Sequence, residues 1–263
     1  MKKNILAFCM MAAMATGYST AHAGTLSDIK AQKVIKVAID LGNPPFGLQT
    51  QQLEPGGFDV HAAELLAKDL GVKLEIVPTT GPNRIPFLMS KRADIVISTL
   101  ANTPDRAKVI DFSVPYAAVL NIVAAPKSMK ISGPEDLAGQ RIAATRGTTN
   151  DVEVTKVAPP TAQVVRFDDE ATTLTSVTSG QVKVVAQNPQ MVKLMNEKNP
   201  KLDLEQKFVL KQIQFGIGVR KGDDSLKDWI NGWIKTNLKN GKLNELYKQD
   251  IGTDLPKEIT RIQ

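Results

Sequence analysis

The chain has 263 residues, with 33 basic against 27 acidic side chains, a formal net charge of +6 and a single cysteine. The basic residues are interleaved with acidic ones and no dense Lys/Arg run with aromatics occurs, so no nucleic-acid partner is expected. Beyond residue 23 no apolar stretch approaches the ~18 residues of a membrane helix, and one cysteine excludes a disulfide framework.

Lys2 and Lys3, the apolar run from Ile5 to Ala15 and the small-residue site Ala21-His22-Ala23 read as a secretory signal peptide over residues 1–23. Its removal takes away Cys9 and leaves 31 basic against 27 acidic residues, a formal +4. The remaining ~240 residues suffice for one large or two modest cores, and the mixed strand and helix signals argue for an α/β class.

Val34 to Ile39 alternates into a first strand ending at Asp40. Leu41 to Gly47, rich in turn formers, is expected to continue neither strand nor helix, and it lies where open α/β sheets place ligands. Phe46 is read as core. Gly56 and Gly57 open an amphipathic helix with Phe58, Ala62, Leu65, Leu66 and Leu70 inward and Gly71 as its stop. His61 is read as a surface histidine, and without a second His or Cys no metal is expected. Lys73 to Pro78 is a strand, and Gly81 to Pro86 enters a helix that carries Arg84.

Asp94 to Ser98 reads as a buried strand, followed by Thr103 as N-cap and Pro104 in the first turn of a helix. Unpaired N–H groups at that helix start, with Arg106 in a position where a cation costs stability, call for an anion. A guanidinium grips a carboxylate with parallel hydrogen bonds, so this is a candidate carboxylate corner. Ala117 to Ala125 is a long apolar run, Gly133 to Leu137 a short helix and Arg141 to Ala144 a strand. Gly147-Thr148-Thr149 in front of a helix from Asp151 to Val157 makes a second anion corner of N–H and O–H groups. Phe167 to Glu170 caps a helix to Ser179, with Glu170 read as a capping acid. A strand ends at Asn188, and another runs from Phe215 to Gly222. Ser225 to Asn240 is a helix whose Trp229 and Trp233 have core spacing, Gly241 to Tyr247 a final helix, and the tail after Gly252 is weakly specified.

The pattern Thr103-Pro104-Asp105-Arg106 followed by Ile110-Asp111-Phe112-Ser113 and Pro115-Tyr116 resembles the signature of the polar amino-acid solute-binding proteins of ABC importers, bacterial solute-binding protein family 3. The likeness extends from about Val34 to Tyr247, with its motifs in order. It implies a two-lobed, type II periplasmic binding protein: each lobe a mainly parallel sheet flanked by helices, joined by two hinge crossings. The implied division is 24–118 and 211–263 for the first lobe and 119–210 for the second. The implied function is capture of an amino acid or related small carboxylate by hinge closure in the periplasm, by a monomer without cofactor, and delivery to an inner-membrane ABC permease.

The resemblance also assigns roles. Arg106 would hold the ligand's α-carboxylate, Thr149 would close over it from the second lobe with Gly147 and Thr148 shaping the turn, and Thr99 would donate beside it. Ala101 stands where a hydroxyl normally assists the arginine. The Asn83-Arg84-Ile85-Pro86 run resembles that of the glutamate/aspartate-binding members, where the arginine meets the side-chain carboxylate. Asn43 takes the place of an aromatic that stacks on the ligand, and Gly81 that of an apolar wall. Glu170 lines up with a side-chain contact that is not acidic in those members, so it speaks against an acidic ligand. Asn188 stands where an aspartate usually pairs with the α-ammonium, a loss of roughly 1.5 to 3 kcal/mol as a hydrogen bond to a charged group. Either other groups hold the amine or the ligand lacks one. The alternatives are a cyclohexadienyl dehydratase-like enzyme on the same fold, with Glu170 as its general acid, or a ligand sensor for a membrane receptor.

Overall fold

The computed structural model describes residues 25–262. The signal-peptide expectation, with Cys9, lies outside the described residues. From the N-terminal side, α1 (Thr25–Gln32) leads into β1 (Val34–Ile39), three short strands β2 (Gly42–Asn43), β3 (Gly47–Gln49) and β4 (Pro55–Gly56), and α2 (Phe58–Leu70). Next come β5 (Lys73–Pro78), α3 (Arg84–Met89), β6 (Ile95–Val96), α4 (Pro104–Ala107) and β7 (Ile110–Pro126). The chain continues through β8 (Arg141–Thr145), α5 (Thr149–Val157), β9 (Gln163–Phe167), α6 (Glu170–Thr178), β10 (Val184–Gln187) and α7 (Pro189–Lys198). It ends in β11 (Leu204–Arg220), α8 (Asp224–Lys239), α9 (Lys242–Ile251) and α10 (Lys257–Thr260).

Hydrogen bonding orders the eight-stranded sheet β5-β1-β6-β11-β7-β10-β8-β9. The pairs at its two ends are parallel, β1 with β5 and β6, and β8 with β9 and β10, while β7 and β11 run antiparallel through its middle. Apolar burial separates on either side of that ribbon. Ile35, Val37 and Ile39 of β1 pack with Leu66, Ile217, Ile230 and Ile234 in one core. Val185 and Ala143 with Val177 and Met195, and Val184 and Ala186 with Ile142 and Val154, form the cores of the other side. These are two α/β lobes, each a sheet covered by helices.

The ribbon carries the connection. β7 and β11 are each 17 residues long, so at 3.3 Å per residue each spans roughly 55 Å and belongs to both lobes. Sequence reading reaches only part of each, an apolar run from Ala117 to Ala125 and a strand from Phe215 to Gly222. Near Pro115 the register shifts: Pro115 lies opposite Gly216, between irregular steps at Phe215/Gly216 and Gly216/Gly218. A bulge tolerates the missing N–H of proline and twists the strand, so the pairing continues through it.

Four smaller expectations are corrected. Leu41 to Gly47 is not strandless, because Gly42 and Asn43 pair with Leu48 and Gly47. The Asp94 to Ser98 strand shrinks to two residues, since Ser98 Oγ accepts Asp40 N–H and Thr99 turns to φ 45°. His61 is half-buried, its Nδ1 2.7 Å from Asp250 Oδ2. The tail is anchored by buried Leu255 and Ile259. Other readings hold: Phe46 is buried and meets Phe215 edge-on at 5.8 Å, and Trp233 is buried in the core with its indole N–H donated to Asp69.

Candidate functional site

The carboxyl ends of β1, β6, β8 and β10 and the inner part of the ribbon converge on one cleft between the lobes, where open α/β folds place ligands. Its empty space, open solvent at the mouth included, is about 370 Å3. All eight predicted site residues line it, and Val119 and Phe215 are the apolar members of its wall. A wall so polar selects a ligand by its hydrogen-bonding groups.

Arg106 crosses the mouth. The short helix α4 starts at Thr103, whose hydroxyl accepts Arg106 N–H, and this sets the arginine facing the other lobe. Its Nη1 donates to Ala101 carbonyl at 3.1 Å and its Nη2 to Gly147 carbonyl, also at 3.1 Å, across the cleft. No acid lies within ion-pair distance of Arg106 or Arg84 among the described residues. Burial first, and the Arg84 guanidinium second, push the Arg106 pKa down to about 9, so it remains a cation at neutral pH but an uncompensated one. On the facing turn, Gly147 holds φ 70°, Thr148 caps α5 through Asp151 N–H, and Thr149 Oγ1 accepts Asn121 Nδ2 at 3.0 Å.

Arg84 is placed differently from the expectation. Its Nε donates to Gly81 carbonyl, and its Nη1 to Ser98 carbonyl at 2.5 Å and to the carbonyl and hydroxyl of Thr99 at 3.3 Å. It lines the cleft while spending most of its donors on the backbone that shapes it. Asn43 Nδ2 also donates to Thr99 Oγ1, at 3.1 Å. Where Gly81 takes the place of an apolar wall the second lobe fills the space, a Cβ there standing 3.2 Å from the Thr148 methyl.

Thr99, β-branched at positive φ, is a strained residue that its surroundings must hold. Asp59 in the first turn of α2 does so, accepting Thr99 N–H at 3.0 Å and Tyr116 O–H at 2.7 Å. Burial raises the Asp59 pKa to about 7 against these two bonds and Arg84. An acid raised from 3.8 to about 7 on folding is protonated in the native state and ionised in the unfolded one between those values. Its contribution therefore declines as pH rises through that window, by up to about 4 kcal/mol. Asp59→Asn removes this dependence. In urea denaturation at pH 4.5 and 7.5, the variant's stability relative to the parent is expected to rise with pH, and parallel profiles would contradict the assignment.

The second lobe's wall is a hydrogen-bonded chain. Asp169, not Glu170, caps α6, accepting Thr172 N–H at 2.7 Å. Glu170 instead turns inward and is buried, its Oε2 accepting Thr145 O–H and Gln187 Nε2, each at 2.7 Å. Burial raises its pKa, opposed by those two donors. Gln187 Oε1 in turn accepts Asn150 Nδ2 and both the backbone and side-chain N–H of Asn188. Asn188 reaches the cleft as expected, but its Oδ1 caps α7 by accepting Met191 N–H at 2.8 Å.

Sequence reading missed Asn121, Asn150 and Gln187. The signals were there: Asn121 is the one polar residue of an apolar run, Asn150 follows the Gly-Thr-Thr turn, and Gln187 ends a strand beside Asn188.

The model of the bacterial extracellular solute-binding proteins, family 3, matches residues 35–253. The chain belongs to that family. This family 3 protein is 29% identical over 235 residues to the ABC transporter glutamine-binding protein of Bacillus subtilis, covering 88% of this chain and 85% of that one. Its fold superposes with a TM-score of 0.80 on a solute receptor for L-cysteine of Neisseria gonorrhoeae, at 30% identity, over 86% of this chain and 93% of that one. Cyclohexadienyl dehydratase of Pseudomonas aeruginosa is a more distant relative, 23% identical over 92% of this family 3 chain and 91% of its own length. The expected fold class and solute-binding role hold. Among the described residues no helix is long and apolar enough to cross a membrane.

Proposed function

We propose that this family 3 protein is a periplasmic receptor that captures an amino acid or related small carboxylate between its lobes and delivers it, as a monomer, to an inner-membrane ABC permease. Arg106 carries the proposal. It is a cation with no acid within ion-pair distance whose fork spans both lobes, and a carboxylate offsets its charge while accepting parallel hydrogen bonds. Arg106 and Thr99 take the carboxylate from the first lobe, and Thr149, on the turn shaped by Thr148, from the second. Arg84, Asn43, Asn188 and Glu170 surround the rest of the ligand. The lobes are 24–118 with 211–263 and 119–210, and they hinge on the bulged ribbon of β7 and β11. Amino-acid names among the relatives, and a cleft lined almost wholly by polar side chains, support the reading.

One observation favours a dehydratase reading: Glu170 is a buried acid in the cleft, and one relative is a cyclohexadienyl dehydratase. Burial raises the Glu170 pKa in the direction a general acid needs, but the family and the relatives named for amino acids are solute-binding proteins. The receptor reading therefore ranks first. A thermal-shift screen of residues 24–263 against the amino acids and their α-keto and α-hydroxy counterparts tests it. A ligand at 100 times its Kd adds about 2.7 kcal/mol, and at least one such carboxylate is expected to raise the melting point. No shift with any of them, together with carbon dioxide release from a cyclohexadienyl carboxylate, would replace the reading by the enzymatic one.

A further inference from the structure

Glu170 is the one acid among the residues lining the cleft, and its Oε1 takes no hydrogen bond, both of its donors going to Oε2. Two further acceptors in the same cleft are orphaned. Asn43 Oδ1 and Asn150 Oδ1 are buried without any partner, on side chains only 6% and 7% exposed. A buried unpaired oxygen is costly, and a group that meets several such oxygens at once must be rich in donors and free of acceptors. An ammonium is that group, with three N–H donors and one positive charge.

We propose that the ligand is a zwitterionic amino acid with an uncharged side chain, and that Glu170, assisted by the orphaned amide oxygens of Asn150 and Asn43, receives its α-ammonium. This rests on the receptor reading and moves the amine from Asn188, whose Oδ1 caps α7 and whose Nδ2 is given to Gln187. All three residues line the cleft. Gln187 ties Asn150 to Glu170, and β2, which carries Asn43, abuts the start of α6, where a Cβ on Gly42 would lie 4.0 Å from Ala171 N. An acidic side chain would be set against Glu170, and Arg84 is held by the carbonyls of Gly81, Ser98 and Thr99. A basic side chain adds a charge for which no second anion remains.

The test is isothermal titration of residues 24–263 and two variants with the best-binding L-amino acid of the screen and with its α-hydroxy analogue, which keeps the carboxylate and lacks the ammonium. The parent is expected to prefer the amino acid by at least 30-fold. Glu170→Gln is expected to bring the two ligands within about threefold by weakening the amino acid alone. Asn150→Ala, which leaves the carboxylate of Glu170 in place, is expected to weaken the amino acid about fivefold and the hydroxy acid not at all, and it serves as the readout should Glu170→Gln not fold. Equal binding of both ligands by the parent, unchanged discrimination in the folded variants, or preference for aspartate, glutamate, lysine or arginine in the screen would overturn the proposal. Those outcomes leave the carboxylate at Arg106 intact. Failure of every carboxylate to bind removes both readings together.

Discussion

Arg106→Ala is expected to weaken ligand binding by about 10² to 10⁴-fold. The estimate follows from two charge-assisted hydrogen bonds to a carboxylate, each contributing roughly 1.5 to 3 kcal/mol, with 1.4 kcal/mol per decade of affinity. Arg106→Lys keeps the charge and loses the planar fork, so an intermediate loss is expected. The two variants separate geometry from charge: equal losses would mean that the fork, not the charge, is what the ligand reads. Titration calorimetry checks both, and affinities within threefold of the parent would remove Arg106 from the site.

Gly47→Ala is expected to destabilise the fold strongly. A Cβ at Gly47 would stand 2.2 Å from the Asp40 carbonyl oxygen and 3.0 Å from its carbon, both main-chain atoms that no rotamer change can move aside. Overpacking by one methyl costs about 1 to 3 kcal/mol where side chains can adjust, and here the turn between β1 and β3 must open instead. A loss of about 3 kcal/mol corresponds to a melting-point drop of roughly 6 to 12 °C for a chain of this size. The same turn carries Asn43 against Thr99, so ligand affinity is expected to fall with it. Circular dichroism melts check the first effect. A change of less than about 2 °C would show that the turn is not held as described.

The sequence makes most of the fold legible because local rules agree with the global one. Val34 to Ile39 alternates and is a central strand, and Gly71 stops α2 in the left-handed conformation at φ 74°. Thr103 is an N-cap in fact as well as in prospect, while Thr148, expected only to shape its turn, caps α5. The long ribbon was not legible, because Pro115 ordinarily ends a strand and only the bulge opposite Gly216 lets the pairing continue. Within the cleft, the residues were found more readily than their roles. Arg84, Glu170 and Asn188 do line it, yet what each can offer a ligand depends on partners distant in sequence. Ser98 and Thr99 occupy Arg84, Thr145 and Gln187 occupy one oxygen of Glu170, and the first turn of α7 occupies Asn188. Asp59 holding Thr99 across 40 positions of sequence has no local signal at all.

The most direct test of a receptor that clamps a carboxylate between its lobes is a crystal structure of the chain with the best ligand of the screen. The ligand's carboxylate oxygens are expected within about 3 Å of Arg106 Nη atoms on one side and of the Thr149 turn on the other, at the hydrogen-bond distances of charged groups. A ligand bound elsewhere, or held in the cleft with its carboxylate turned away from Arg106, would contradict the account.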